Sequence, residues 1–153
     1  MTEQLRGKYF EEFVVGDTLT SPGRTITETD VMLFAGLSGD YNELHTNTEF
    51  SAGTPFGQRI AHGLLGLSIA SGLVGRLGLI EGTAIAFTGL EWRFKAPVFI
   101  GDTIHVRAQV EKTRPMRALG GGLVILQITI CNQRNETVQE GTWKVLMRAR
   151  PGA

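Results

Sequence analysis

Cysteine is almost missing from this chain: Cys131 is the only one in 153 residues, so no disulfide can form within it. The opening stretch MTEQLRGKYFEEF also lacks the apolar centre of a secretion signal. Together these predict a reducing, cytoplasmic compartment. Neither sign of charge is in excess, since fifteen Lys and Arg offset fifteen Asp and Glu. That excludes a global field drawing the chain to nucleic acid or to an anionic membrane, so an anionic ligand must be held by local groups. No apolar run is long enough to span a bilayer. The best candidate, IAHGLLGLSIASGLVG from Ile60 to Gly75, carries four glycines and a histidine between Arg59 and Arg76. It falls short of the roughly 20 apolar residues a span requires, so it predicts a helix buried in a core. Nucleotide loops are lacking too: the glycines of GLLGLSIASG lie within that helix, and LGGGL (Leu119 to Leu123) reads as a bend opening a strand. There is no internal repeat, linker or low-complexity stretch. One domain over residues 1–153 follows, large enough to need no metal or disulfide staple.

What is present falls into a readable order. In DTLTSPGRTIT (Asp17 to Thr27), threonine-rich strand chemistry is broken by the turn residues Ser21, Pro22 and Gly23, predicting a short edge strand. TETDVMLFAGLSG follows, with Thr27 or Thr29 as helix cap, acids in the first turn, and Gly39 as a left-handed stop. Residues 40–59 show no sustained period and read as a loop, with at most a helical turn at TEFSAG. Tyr41, Leu44, Phe50 and Phe56 give it anchors, and an ordered irregular segment of this length is usually functional. From Ala61 to Gly78 the apolar residues lie all round a helix, predicting cover on most sides. Gly63, Gly66, Gly72 and Gly75 each cost such a helix about 1 kcal/mol relative to alanine, so backbone or ligand is expected to approach it closely. Four strand-like segments follow, at 84–97, 102–115, 119–133 and 136–150, with Asn132 to Glu136 as a hairpin turn. Apolar residues alternate in Ile104, Val106, Ala108, Val110 and in Val124, Leu126, Ile128, Ile130. The spacing predicts an antiparallel meander, and with the helix an α+β hotdog fold, a curled antiparallel sheet around a long central helix.

The irregular segment holds the chemistry. Asp40 after Ser-Gly is by itself ordinary loop composition, but it opens the sequence Asp40-Tyr-Asn42-Glu-Leu-His45, which precedes Ala61-His62-Gly63 by a fixed interval. These residues resemble the hydratase motif of the MaoC-like family, which contains the (R)-specific enoyl-CoA hydratases and related acyl dehydratases. WRFKAPVFIGDT (Trp92 to Thr103) is similar to the family's strand ending in Pro-Val and a Gly-Asp turn, and the likeness extends over roughly Thr27 to Thr113. Glu43 departs from it, standing where many members have proline, and removes no reactive group.

The resemblance implies an enzyme that adds water reversibly to a trans-2-enoyl-CoA to give an (R)-3-hydroxyacyl-CoA, without cofactor or metal. Such a reaction needs a base for water, an acid for Cα and a donor for the charge on the thioester oxygen. Asp40 and His45 suit the first two tasks. Gly63 suits the third, because its N–H lies in the first turn of the helix, where no intrahelical acceptor exists. Asn42, Ser71 and His62 are expected as substrate-contacting residues. Each also has a structural reading: Asn42 as an Asx-type loop bond, Ser71 as a serine bonding its own helix, and His62 as a satisfied buried histidine. His105 is expected at the surface. A metal set of Asp40, His45 and His62 lacks local ligand spacing such as His-x-x-x-His. Arg59, Arg93, Lys95, Arg114 and Arg117 are candidates for the phosphates of CoA. A homodimer or higher homo-oligomer is the expected assembly, acting on CoA or acyl carrier protein thioesters, with neither nucleic acid nor membrane as partner. A thioesterase of the same fold and a binding subunit of a heterodimeric dehydratase are the alternative functions.

Overall fold

The computed structural model describes residues 7–152; the expectations about the leading segment fall partly on residues 1–6, outside that range. Strands β1 (Thr18–Thr20) and β2 (Arg24–Thr25) are separated by the expected Ser-Pro-Gly turn, and both pair antiparallel with β4 (Thr103–Met116). Between them and the central helix lie α1 (Glu28–Ser38), α2 (Glu43–Thr46) and α3 (Thr48–Ala52). The central helix is α4 (Gly63–Gly75), and the remaining strands are β3 (Ala84–Phe94), β5 (Gly121–Cys131) and β6 (Thr137–Arg148).

Helix α1 begins and ends where its sequence dictates. Thr27 caps it, accepting from the Asp30 N–H while the Asp30 carboxylate takes the Thr27 N–H at 2.8 Å. Gly39 closes it at φ 77°, a left-handed conformation that glycine adopts without penalty. The alternation in β4 is realised: Ile104, Val106, Ala108 and Val110 are buried, and Arg107 and Gln109 are exposed. Val124, Leu126, Ile128 and Ile130 of β5 are buried opposite them. Each valine, leucine or isoleucine among them contributes about 1.5–3 kcal/mol when removed from water. Asn132 closes the β5–β6 hairpin, its Oδ1 accepting from the N–H groups of Arg134 and Glu136.

Three expectations are corrected. The strands run β1-β4-β5-β6-β3, so β4, β5 and β6 form the meander, whereas β3 crosses to the far side and pairs with β6 instead of β4. Helix α4 is shorter than 61–78, and it is not covered all round. Leu65, Ile69, Ala70, Leu73 and Val74 face the sheet, while Leu64, Ser68, Ser71 and Gly72 form an exposed stripe. Two short helices occupy the segment read as loop. The sheet and helix together make the hotdog arrangement. Among the described residues no helix is long and apolar enough to cross a membrane.

Two of the four helix glycines answer to close approach. A Cβ on Gly63 would lie 2.7 Å from the Phe94 ring, and one on Gly66 would strike the Gln139 amide; Gly72 and Gly75 face open space.

Candidate active site

Asp40 follows the Gly39 stop and is exposed, so the end of α1 carries its carboxylate to the surface of the fold. Its Oδ1 accepts from the Asn42 N–H at 3.2 Å. Asn42 in turn caps α2, its Oδ1 accepting from the Leu44 N–H at 3.0 Å. This Asx capping is what makes a four-residue helix of Glu43–Thr46, and the helix places His45 one turn beyond Asp40. His45 Nδ1 lies 2.8 Å from the Ile60 carbonyl. A carbonyl only accepts, so Nδ1 carries a hydrogen, and in the neutral ring the lone pair is on Nε2.

His62 is 3% exposed and sits behind this pair. Its ring stacks on that of His45 with centroids 3.8 Å apart and planes tilted by 29°, and Phe34 packs beside it at 4.9 Å. Its Nε2 lies 2.9 Å from the Asp40 carbonyl, to which it must donate. One oxygen or nitrogen from each of Asp40, His45 and His62 falls within 4.8 Å of the others. Two histidines and a carboxylate are a familiar metal set. Stacked imidazoles tilted so little have ring planes that meet far beyond the reach of a metal–nitrogen bond of about 2.0–2.1 Å, so their lone pairs do not converge on one ion.

Gly63, next in the chain, opens α4, and no acceptor among the described residues takes its N–H. It lines a cleft of about 490 Å³ with His45, Leu64, Phe94, Lys95 and Gln139 among its walls. The cleft is mainly apolar, suited to an acyl thioester. One wall residue gave no signal in the sequence. Gln139, 2% exposed on β6, donates from Nε2 to the Gly63 carbonyl at 3.1 Å and accepts the Trp92 indole N–H at 3.0 Å. A glutamine within a strand reads by default as outward-facing.

The other expected residues disperse. Ser71 is exposed, donates to the Ser68 carbonyl at 2.6 Å, and borders a separate pocket of about 270 Å³ with Val74, Ala84, Phe87 and Trp143. Arg59 is engaged by Glu28 at 2.8 and 2.5 Å, bonds that hold the Glu28 carboxyl below the usual carboxylate range. Lys95 lines the cleft and pairs with Glu140 at 3.4 Å. Arg93 is exposed on β3, whereas Arg114 and Arg117 lie at the opposite end of the sheet, where β4 turns into β5. His105 is half-buried, and burial, followed by the charge of Arg107, lowers its pKa.

Residues 12–125 match the family model of the MaoC-like domain. An (R)-specific enoyl-CoA hydratase of Rhodospirillum rubrum is 34% identical over 142 residues, 93% of each chain. A 3-hydroxybutyryl-CoA dehydratase of Methylorubrum extorquens is 38% identical over 117 residues, 76% of this chain and 73% of that one. Among solved structures, one described as a monoamine oxidase regulatory protein from Archaeoglobus fulgius superposes with a TM-score of 0.88 at 39% identity, over 95% of this chain and 97% of the other.

Proposed function

Because the chain belongs to the family of MaoC-like domains, we propose that it acts as a single-domain hydro-lyase, adding water reversibly to a trans-2-enoyl-CoA to give an (R)-3-hydroxyacyl-CoA. The observation that carries this reading is the meeting of Asp40 with His45, which lines an apolar cleft together with Gly63, whose N–H has no acceptor among the described residues. A water held between the Asp40 carboxylate and His45 Nε2 gives one proton to the pair as its oxygen bonds to Cβ. Electrons move to the thioester oxygen, where Gly63 donates. A proton from the pair then reaches Cα as the carbonyl reforms, so that water is added overall and no group of the protein is consumed. Acid–base groups in such positions contribute about 10²–10⁴ in rate, and an oxyanion donor about 3–4 kcal/mol. No cofactor enters this scheme.

The CoA phosphates are assigned first to Lys95, the basic residue that lines the cleft. A cytoplasmic setting accords with a sole, buried cysteine. The assembly is proposed as a homodimer. Among the described residues strand β3 has one unpaired edge and exposes Ile85, Phe87, Leu90 and Phe94, beside the exposed Leu64 of α4. An apolar edge of this kind is normally covered.

Purified protein should hydrate members of a panel of trans-2-enoyl-CoA thioesters differing in length and branching, followed by loss of the enoyl-thioester absorbance and chiral analysis of the product. Release of free CoA thiol without hydration would instead mark a thioesterase, and inactivity of the purified chain with every thioester would sink the proposal.

A further inference from the structure

His62 meets all three groups assigned to the reaction, yet it is buried, at 3% exposure. Its ring lies against His45, its Nε2–H reaches the Asp40 carbonyl, and its own carbonyl carbon is bonded to the nitrogen of Gly63. It is the capping residue of α4, but its side chain makes no bond to that helix. Ser, Thr, Asp or Asn would serve the helix better there, so the imidazole is turned to another use.

That use is evident from how Asp40 is held. Its carboxylate bonds the Asn42 N–H, which moves with the loop, and its own N–H bonds Oγ of Ser38, the residue that ends α1 just before it. Among the described residues, the bond from His62 is the one hydrogen bond joining Asp40 to a distant element, 22 positions along the chain. We propose that His62 is a positioning residue: through its bond to the Asp40 carbonyl it fixes the exposed carboxylate beside His45 and at a set distance from the Gly63 N–H. This rests on the hydratase reading of those three groups. A loop carbonyl without that tether shifts the carboxylate, and a displacement of about 1 Å costs on the order of 10²-fold in rate.

The test uses the full chain with trans-2-butenoyl-CoA and two variants that separate donor from ring. His62→Gln keeps an amide N–H donor and removes the ring, whereas His62→Phe keeps a ring against His45 and Phe34 and removes the donor. Expected is a fall in kcat of roughly 10²-fold for His62→Phe with KM within about threefold, and recovery to within about fivefold of the wild-type rate in His62→Gln. A wild-type rate in His62→Phe, equal losses in both variants, or a change confined to KM would each overturn the proposal. Should His62→Phe fail to fold, imidazole nitrogen NMR of the wild type decides: the proposal requires hydrogen on Nε2, protected from solvent exchange, and the opposite tautomer refutes it. The same spectrum keeps the two readings apart. A wild type without hydratase activity but with a protected Nε2–H sinks the hydratase reading while upholding the tether.

Discussion

Gln139 of β6 donates to the carbonyl of Gly63 over 3.1 Å, tying the sheet to the first residue of the central helix. Its amide orientation is settled from both sides, because the Trp92 N–H occupies the oxygen. Gln139→Leu preserves volume but leaves the half-buried Trp92 N–H without its acceptor, at a cost of about 1–3 kcal/mol, and removes the sheet's bond to the Gly63 carbonyl. The urea midpoint should fall by a corresponding amount. Gln139→Glu keeps the Trp92 bond but buries a carboxylate against the Gly63 carbonyl, so at neutral pH it should be at least as destabilised as Gln139→Leu and should recover as acid protonates it.

Asp40→Asn and His45→Gln should each reduce enoyl-CoA hydration by about 10²–10⁴. Both residues lie outside the buried core, Asp40 exposed and His45 half-buried, so the thermal midpoint should move by only a few degrees. Steady-state rates alongside thermal scans check both halves of the statement. A near-wild-type rate in either variant removes that residue from the chemistry.

Acid should weaken the fold in a defined direction. Arg59 hydrogen-bonds Glu28, its charge adds to the effect, and together they outweigh burial, so the folded-state carboxyl titrates below its unfolded value. The unfolded chain then binds more protons between the two values. The stability contributed by the pair is present above the unfolded pKa and is lost as pH falls through the folded one. Glu28 is largely exposed, so solvent screening limits the contribution to about 1 kcal/mol or less. His105 acts in the same sense around its own range, since its lowered pKa leaves the folded chain with fewer protons than the unfolded one. Urea unfolding at a series of pH values should show Glu28→Gln less stable than wild type at neutral pH and equal to it at the acid end. His105→Gln should flatten the slope between weakly acidic and neutral pH.

Phe87→Glu should convert a dimer into a monomer, read by sedimentation velocity. The substitution puts charge on an edge strand whose Phe87 is 51% exposed and whose pairing with β6 is irregular between Phe87 and Gly89. A wild-type chain sedimenting as a monomer at high concentration would remove the basis for that assembly.

Features governed by neighbours in the chain were legible in the sequence. Thr27 and Gly39 bound α1 because caps act within one turn, and β4 and β5 show their buried faces because alternation is local. The pairing of Asp40 with His45 came from the resemblance of their motif, since the cap and helical turn that bring them together lie in a segment read as loop. What escaped depends on distant partners or on elements too short to have a period. Strand β3 alternates no differently whether it pairs with β4 or β6. Helix α2, four residues long, exists through the Asn42 cap. Arg59 looked free for a phosphate because Glu28 lies 31 positions away. Gln139 gave no signal because nothing in its surroundings along the chain announces Trp92 and Gly63. The exposed stripe of α4 was hidden by composition, since Leu64 counts as apolar wherever it points.

The two halves of the site rest on supports of unequal strength. Gly63 is anchored in the core helix, but Asp40 and His45 ride on a segment without strands, in which the buried Ser51 hydroxyl donates only to the carbonyls of Glu43 and Leu44. That segment is held to the rest of the fold mainly by Arg59, Ile60 and His62. Such a unit opens at a lower free energy than the sheet. Hydrogen exchange should therefore resolve two tiers, with amides of residues 41–52 exchanging well before those of β5. On heating, the chain should lose its activity while its strands are still intact, so that its working temperature is decided by a few bonds around one loop.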